Sequence, residues 1–232
     1  MPLTGDRATI DALHVRRTSQ AWRNRLRRWL EPPRPFIMNP GEPKDFPLGR
    51  WNLYIGGAAA RPDGYVNIDL FAVPGVDVAC DAESLPFPAG VFTRVECDAV
   101  LEHVVCPETV MREIERILAP GGYAHVVTPF CHPFHEYPRD YRRFTPDGLK
   151  LLRGGMDVVA EGWRTGPAAT LLVFALEGGK LLLPWRWWRA AAHFTLGWLL
   201  WPLRYLDAPL LNTPAAGRIG NHCYVWFRKP AR

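Results

Sequence analysis

The sequence has no Cys-x-x-Cys pair, no unbroken apolar run of membrane-spanning length and no charge excess outside its amino-terminal segment. Each shortage excludes a class. Five cysteines, Cys80, Cys97, Cys106, Cys131 and Cys223, make an odd and unpaired set, which argues for reduced thiols in a reducing compartment and against a disulfide framework or a zinc ribbon. The most apolar stretch of the carboxyl-terminal half, residues 190–201, is interrupted by His193 and Thr195 and bracketed by Pro184 and Pro202. It is shorter than the ~20 residues that a spanning helix needs. The formal charge of +5 arises in residues 1–35, where eight Arg face Asp6, Asp11 and Glu31, and the remainder is balanced. A neutral body offers no basic groove for nucleic acid, so no nucleic-acid partner is expected. No apolar core of secretory type is present, and a cytoplasmic location is expected.

What is there suits one domain with an elaboration, since 232 residues with 48% hydrophobic content can bury a full core. Residues 14–30 set Val15, Trp22, Leu26, Trp29 and Leu30 at near-helical spacing among six Arg. That is a basic amphipathic helix, suited either to an anionic membrane surface or to packing on its own domain. Six prolines between 31 and 50 then forbid helix or central strand. Residues 1–49 therefore read as a basic arm and Pro-rich linker, and 50–232 as the folded domain.

Its centre is the stretch 53–69, LYIGGAAARPDGYVNID. A short apolar run enters Gly56 and Gly57, and a second run closes on Asp69. In an open parallel sheet such a turn lies at the carboxyl edge of the strands, where missing Cβ atoms admit a nucleotide and the acid can accept ribose hydroxyls. Further strands are expected over 76–79, 92–97, 123–128 and 157–164, with a helix over 107–118 that opens on Pro107 and is stopped by Pro120, Gly121 and Gly122. A short helix begins at Thr145 and ends at Gly154 and Gly155. Residues 167–218 form a Leu- and Trp-rich helical insertion before a last strand near 222–228. Strands alternating with helix or loop imply a doubly wound α/β sheet.

These pieces in this order resemble the class I S-adenosylmethionine-dependent methyltransferases. LYIGGA matches the first glycine motif, VNIDL the ribose acid, CDAESLPF the adenine loop, and VLEHV and EIERILAPGGYAHVVTPF follow at the family's spacing. The resemblance implies a seven-stranded Rossmann-like sheet whose last strand is antiparallel, and S-adenosylmethionine as cofactor. It also implies roles: Gly56 and Gly57 on the methionine and ribose side, Asp69 with Leu70 at the ribose, Asp81 and Ala82 at the adenine, and Asp98 and Ala99 beside the transferable methyl, with His103 near by. Two departures stand out. Ala58 occupies the place of the third glycine, and only residues 57–64 separate the first two strands, fewer than a parallel crossover usually takes. The first helix is expected to be a turn, too small to hold a pyrophosphate, whereas S-adenosylmethionine carries no phosphate.

The segment 129–144 resembles the HPxHxxPxDYxRFT loop of methyltransferases found with polysaccharide and glycolipid assembly enzymes. It follows the fifth strand at the ligand edge and supplies His132, His135 and Asp140. A hydroxyl acceptor needs a base, and histidine takes a proton near neutral pH. His135 stands ahead of His132 as that base, against a rigid loop in which both only satisfy backbone groups. A metal site from His132, His135 and Asp140 lacks a fourth ligand, so no metal is expected. The reading is an O-methyltransferase acting on a sugar, saccharide-lipid or other small acceptor. Its non-enzymatic rival is a degenerate methyltransferase fold serving as a membrane-associated assembly subunit. Five tryptophans between 181 and 211 suit an interfacial helix, a lid over the acceptor pocket, or a homodimer surface.

Overall fold

A computed structural model describes residues 31–57, 62–136, 138–214 and 216–231. The amphipathic helix expected over 14–30 and the Ala58 position lie outside the described residues. Seven strands form one sheet: β1 (Asn52–Ile55), β2 (Val66–Asp69), β3 (Val78–Ala79), β4 (Phe92–Asp98), β5 (Leu118–Pro129), β6 (Asp157–Thr165) and β7 (His222–Arg228). Their order is β3-β2-β1-β4-β5-β7-β6, with β7 antiparallel to both β5 and β6 and the other pairs parallel. This is the doubly wound seven-stranded sheet with an antiparallel last strand that the sequence leads one to expect. The helices are α1 (Pro107–Ile117), α2 (Pro146–Lys150), α3 (Pro167–Leu181), α4 (Arg186–Leu200), α5 (Asp207–Leu210) and α6 (Ala216–Ile219), the last four making up the insertion.

One face of the sheet is apolar and carries the main core. Helix α1 opens on Pro107 at its first turn and buries Val110, Met111, Ile114 and Ile117. They pack in one cluster with Leu53, Ile55, Val95, Cys97, Ala124, Val126, Val225 and Phe227, and each such side chain contributes ~1.5–3 kcal/mol on burial. The helix ends one residue earlier than expected because Leu118 is already extended, with ψ 135°, and pairs with Phe92. Strand β5 therefore starts before Tyr123, and the Pro120–Gly121 turn becomes an irregularity inside it, with Gly121 at φ +78°.

The opposite face is built from different chemistry. Among the described residues, the connections β1–β2, β2–β3 and β3–β4 contain no helix, so this face needs another cover. Part of it comes from the Pro-rich segment, which is a strap and not a free linker. Phe46 stacks on Trp226 with ring centres 4.1 Å apart, Asn39 donates to the Trp163 carbonyl at 2.8 Å, and Arg94 donates to the Phe46 carbonyl at 2.9 Å. The fold thus begins before Arg50, because proline-bound extended backbone has few N–H donors of its own and can lie across a sheet face.

Beneath the strap His125 sits between two acids, with Nε2 2.8 Å from Glu42 and Nδ1 2.6 Å from Glu96, and its ring stacks on Trp226. Arg94 pairs with Glu96, and Arg164 lies 3.8 Å from Glu42. Burial favours the neutral ring, but the two carboxylates override it and raise the His125 pKa above its usual 6.5. The Glu96 pKa is lowered: burial opposes this, and His125 and Arg94 outweigh it. The signs set a window. The His125 contribution is present below about pH 6.5 and is lost as pH rises through its elevated folded value. The Glu96 contribution is present above about pH 4.5 and is lost as pH falls through its depressed one. His125→Leu should leave buried Glu96 with Arg94 alone and Glu42 with only the more distant Arg164, and cost about 3 kcal/mol in urea unfolding near pH 6. A loss below about 1 kcal/mol, the worth of an exposed pair, would mean that the strap does not depend on this cluster.

Candidate active site

The carboxyl ends of β1, β2 and β4 open into a cleft of about 190 Å³ lined by Gly56, Asp69, Leu70, Asp81, Ala82, Ala99, Val100, His103 and Arg139, among others. Gly56 has φ +77°, and a Cβ there would stand 2.3 Å from Val100 Cγ2, so only glycine lets the β1 turn pass under the loop after β4. Asp69 ends β2, is 8% exposed, and has one carboxylate oxygen oriented by the Phe71 N–H at 3.1 Å. Asp81 Oδ1 accepts from Glu83 N at 2.9 Å, while Glu83 itself accepts from Cys106 N at 3.0 Å and so ties the loop to the start of α1. Ala99 has φ +54°, the one positive value outside glycine among the described residues, and its N–H bonds to the Val127 carbonyl at 3.0 Å. A sparsely populated backbone state at a cleft wall is the kind of local strain that functional sites retain.

Two expected cofactor residues do not line this cleft. Gly57 is required by Asn67, whose Oδ1 would lie 2.1 Å from an added Cβ. The Asp98 carboxylate turns to Arg164 at 3.4 Å and to the Tyr54 hydroxyl at 3.5 Å.

The loop after β5 lies along the cleft, which its Pro138 and Arg139 help to line. Arg143 is its staple: it makes a bidentate pair with Asp140 and donates to the carbonyls of His132, Pro133 and Arg142. Asp140 also accepts the His135 N–H at 2.8 Å, and the Arg143 guanidinium brings its pKa down to about 2. Asp140 therefore positions the loop and is not a proton acceptor at neutral pH. The loop docks on the 3₁₀ turn after β4 (Leu101–His103) through Tyr141 N to the Glu102 carbonyl at 2.8 Å and Arg142 to the Val105 carbonyl at 2.8 Å.

Docking brings four histidines into a row. Ring centres of His103 and His135 are 5.0 Å apart, those of His135 and His132 4.8 Å, and those of His132 and His222 5.2 Å. Burial lowers the pKa of His103 and His132, and burial with the neighbouring cations brings His222 to about 3, so these rings are neutral near pH 7. At the cleft end, His103 Nε2 lies 3.6 Å and His135 Nε2 3.9 Å from Glu102 Oε1. Glu102 is fully buried, neither carboxylate oxygen has a hydrogen bond, and burial pushes its pKa up to about 8.

Residues 62–126 match the family model described as "Methyltransferase domain". Over those residues, from before β2 into β5, the chain is similar to a methyltransferase domain. No curated protein matches the chain in sequence. Among solved structures, a protein from Galdieria sulphuraria provisionally named a sarcosine dimethylglycine methyltransferase is 14% identical with TM-score 0.50, covering 78% of this chain and 79% of that one. The [4+2]-cyclase SpnF is 18% identical with TM-score 0.49, over 76% of its length and 79% of this chain. Phosphoethanolamine N-methyltransferase 2 from Haemonchus contortus, solved with phosphomonomethylethanolamine and S-adenosylhomocysteine, is 18% identical with TM-score 0.49, over 82% of this chain and 50% of its own.

The cleft thus gathers Gly56, Asp69, Leu70, Asp81, Ala82, Ala99 and His103 of the residues read from the sequence. The acids at the β2 end and after β3 and the glycine cradle at β1 fit S-adenosylmethionine. His132 and His135 come together in the loop. Sequence reasoning missed Glu102 and His222. A carboxylate inside the apolar run 99–105 is a signal for the first; the second is brought in only by the antiparallel return of β7.

Proposed function

We propose that this methyltransferase domain methylates a hydroxyl oxygen of a saccharide or saccharide-lipid acceptor. Asp69 would hold the cofactor ribose, Asp81 and Ala82 its adenine, and Gly56 its methionine side. When bound, S-adenosylmethionine supplies a methyl on a sulfonium: the acceptor O–H gives up its proton, an O–C bond forms, and the C–S electron pair stays on sulfur. The observation that carries the hydroxyl reading is the convergence of buried Glu102 and of His135 behind His103, which lines the cleft. An amine acceptor is nucleophilic once neutral and has less need of such a cluster, whereas a neutral hydroxyl needs its proton removed. Among the arginines and aromatics of the 129–144 loop, Phe134 is 70% exposed; its apolar face beside polar groups suits a sugar ring.

The test is methyl transfer from labelled S-adenosylmethionine to a panel of free and lipid-linked saccharides and of amines, with the labelled atom located by mass spectrometry. Label on oxygen is the expected result. Transfer confined to nitrogen or carboxylate would overturn the reading.

A membrane-bound acceptor is favoured by the outer surface of the insertion. Helix α3 is anchored by Asp207, whose buried carboxylate accepts from the N–H groups of Gly166, Ala168 and Ala169 at 3.2, 2.8 and 2.9 Å. Beyond that anchor, Leu181, Leu182, Trp185, Trp187, Trp188, Trp198 and Leu199 are exposed. Arg204 lies over the rings of Trp201 and Tyr205, 4.9 Å from each centre. No helix among the described residues is long and apolar enough to cross a membrane. Tryptophan with arginine suits the headgroup layer. The full-length protein should pellet with anionic liposomes at low salt, and Trp187→Ser with Trp188→Ser, or deletion of residues 1–35, should weaken pelleting more than methyl transfer. Equal recovery in the supernatant with and without liposomes would leave a lid or a homodimer surface as the role of this face.

A further inference from the structure

We propose that Glu102, His103 and His135 form a binding site for one divalent first-row metal ion at the acceptor end of the cofactor cleft. Each side chain offers one ligand atom within 4.8 Å of the other two, and Glu102 Oε1 lies 3.6 Å from His103 Nε2 and 3.9 Å from His135 Nε2.

The hydrogen-bond partners assign the ring protons. His103 Nδ1 faces the Arg139 carbonyl, which can only accept, so the proton is on Nδ1 and the Nε2 lone pair points to Glu102. His135 Nδ1 lies 3.3 Å from the Pro133 carbonyl and 3.5 Å from Asp140 Oδ2, again acceptors, which frees its Nε2 in the same way. An outer oxygen on the far nitrogen is how proteins orient ligating histidines. The result is three acceptors facing one another. Arg143, whose charge acts on Glu102, already donates to Asp140 and to three backbone carbonyls.

A fully buried carboxylate with no hydrogen bond is costly. A single proton can bridge only one of its two contacts with the imidazoles, whereas a divalent ion serves all three ligands. Ligands of a tetrahedral ion at ~2.0–2.1 Å stand about 3.2 to 3.5 Å apart, against 3.6 and 3.9 Å for the two Glu102 pairs and at most 4.8 Å between the imidazoles here. Small side-chain rotations close that difference. Two imidazoles favour Zn²⁺, Co²⁺ or Fe²⁺ over Mn²⁺, Mg²⁺ or Ca²⁺. Three protein ligands leave open positions, as in catalytic sites, and the His103 side of the set faces the cleft. The set differs from the His132, His135 and Asp140 combination weighed from the sequence, because Asp140 is committed to Arg143.

The catalytic meaning of the site rests on the O-methylation proposed above: a divalent ion acidifies an oxygen bound to it, and the acceptor proton would leave to water. The existence of the site does not rest on that reading. The test uses the full-length chain, stripped with a chelator and titrated with Co²⁺ while d–d absorption is followed. Saturation at one ion per chain, with displacement by Zn²⁺, is expected. Glu102→Gln, His103→Ala and His135→Ala should each weaken Co²⁺ binding at least 100-fold, since loss of even an outer-shell partner costs ~10–100-fold, while His132→Ala should stay within a few-fold. Three variants, each checked for folding by circular dichroism, keep the test sound if the buried Glu102→Gln fails to fold. Absence of saturable bands, or folded variants that titrate like the parent, would overturn the site. Cobalt binding without methylation of any hydroxyl would sink the acceptor reading and keep the site. Full hydroxyl methylation in chelator, with no cobalt bands, would do the reverse.

Discussion

His135→Ala should lower methyl transfer by about 100-fold or more while leaving S-adenosylmethionine affinity nearly unchanged. The magnitude is that of losing a positioned proton acceptor, and loss of a metal ligand would be no milder. The selectivity follows from where the side chain lies. His135 belongs to the loop after β5 and meets the site through Nε2, 3.9 Å from Glu102, whereas it does not line the cofactor cleft. Its removal leaves the loop staple intact, because Arg143 and Asp140 bond to each other and Arg143 to backbone carbonyls. His132→Ala should cost less, since that ring lies farther along the row, between His135 and His222. Single-turnover rates and calorimetry with S-adenosylhomocysteine on the same preparations separate the two effects. Turnover that survives His135→Ala would move the role to His103 or His132. Collapse of cofactor binding would make the loop structural.

Asp69→Ala should weaken cofactor binding roughly 10- to 150-fold for each charge-assisted hydrogen bond lost, the equivalent of ~1.5–3 kcal/mol. Its strand places Asp69 at the cleft: Ile68 and Asp69 pair with Val78 and Ala79, and the next residue leaves the sheet there. The carboxylate also accepts the Phe71 N–H, so alanine removes a turn contact as well. Asp69→Asn keeps an acceptor for that N–H and loses the charge. If the ribose assignment holds, both variants lose affinity; if the residue only shapes the turn, asparagine binds like the parent. Unchanged affinity in a folded alanine variant would remove Asp69 from the ribose.

The order of elements was legible because hydrophobic pattern and turn residues are local. The run into Gly56, the acid closing VNID, Pro107 opening α1 and the short helix after Thr145 each carry their own physical signal. The end of α1 was misjudged by one residue, since whether Leu118 continues a helix or pairs with Phe92 depends on a strand 26 positions earlier. The Pro-rich segment reads as a linker from composition alone; that it is a strap depends on Trp226, Tyr123 and Arg94 presenting a face for Phe46.

By itself, then, the sequence determined the doubly wound sheet, the glycine turn under the cleft and the acids at its rim, because backbone propensity and the alternation of buried positions act within a few residues. Only the tertiary structure decided what those residues face. It turned Asp98 toward Arg164, committed Asp140 to Arg143, and placed Asp207 on the amino terminus of α3 from 38 to 41 positions away. It also brought Glu102, from the turn after β4, beneath His135, from the loop after β5. The reason is physical: a carboxylate's role is set by whether its neighbour is a guanidinium, a helix end or an imidazole lone pair, and those neighbours are chosen by sheet order and loop docking.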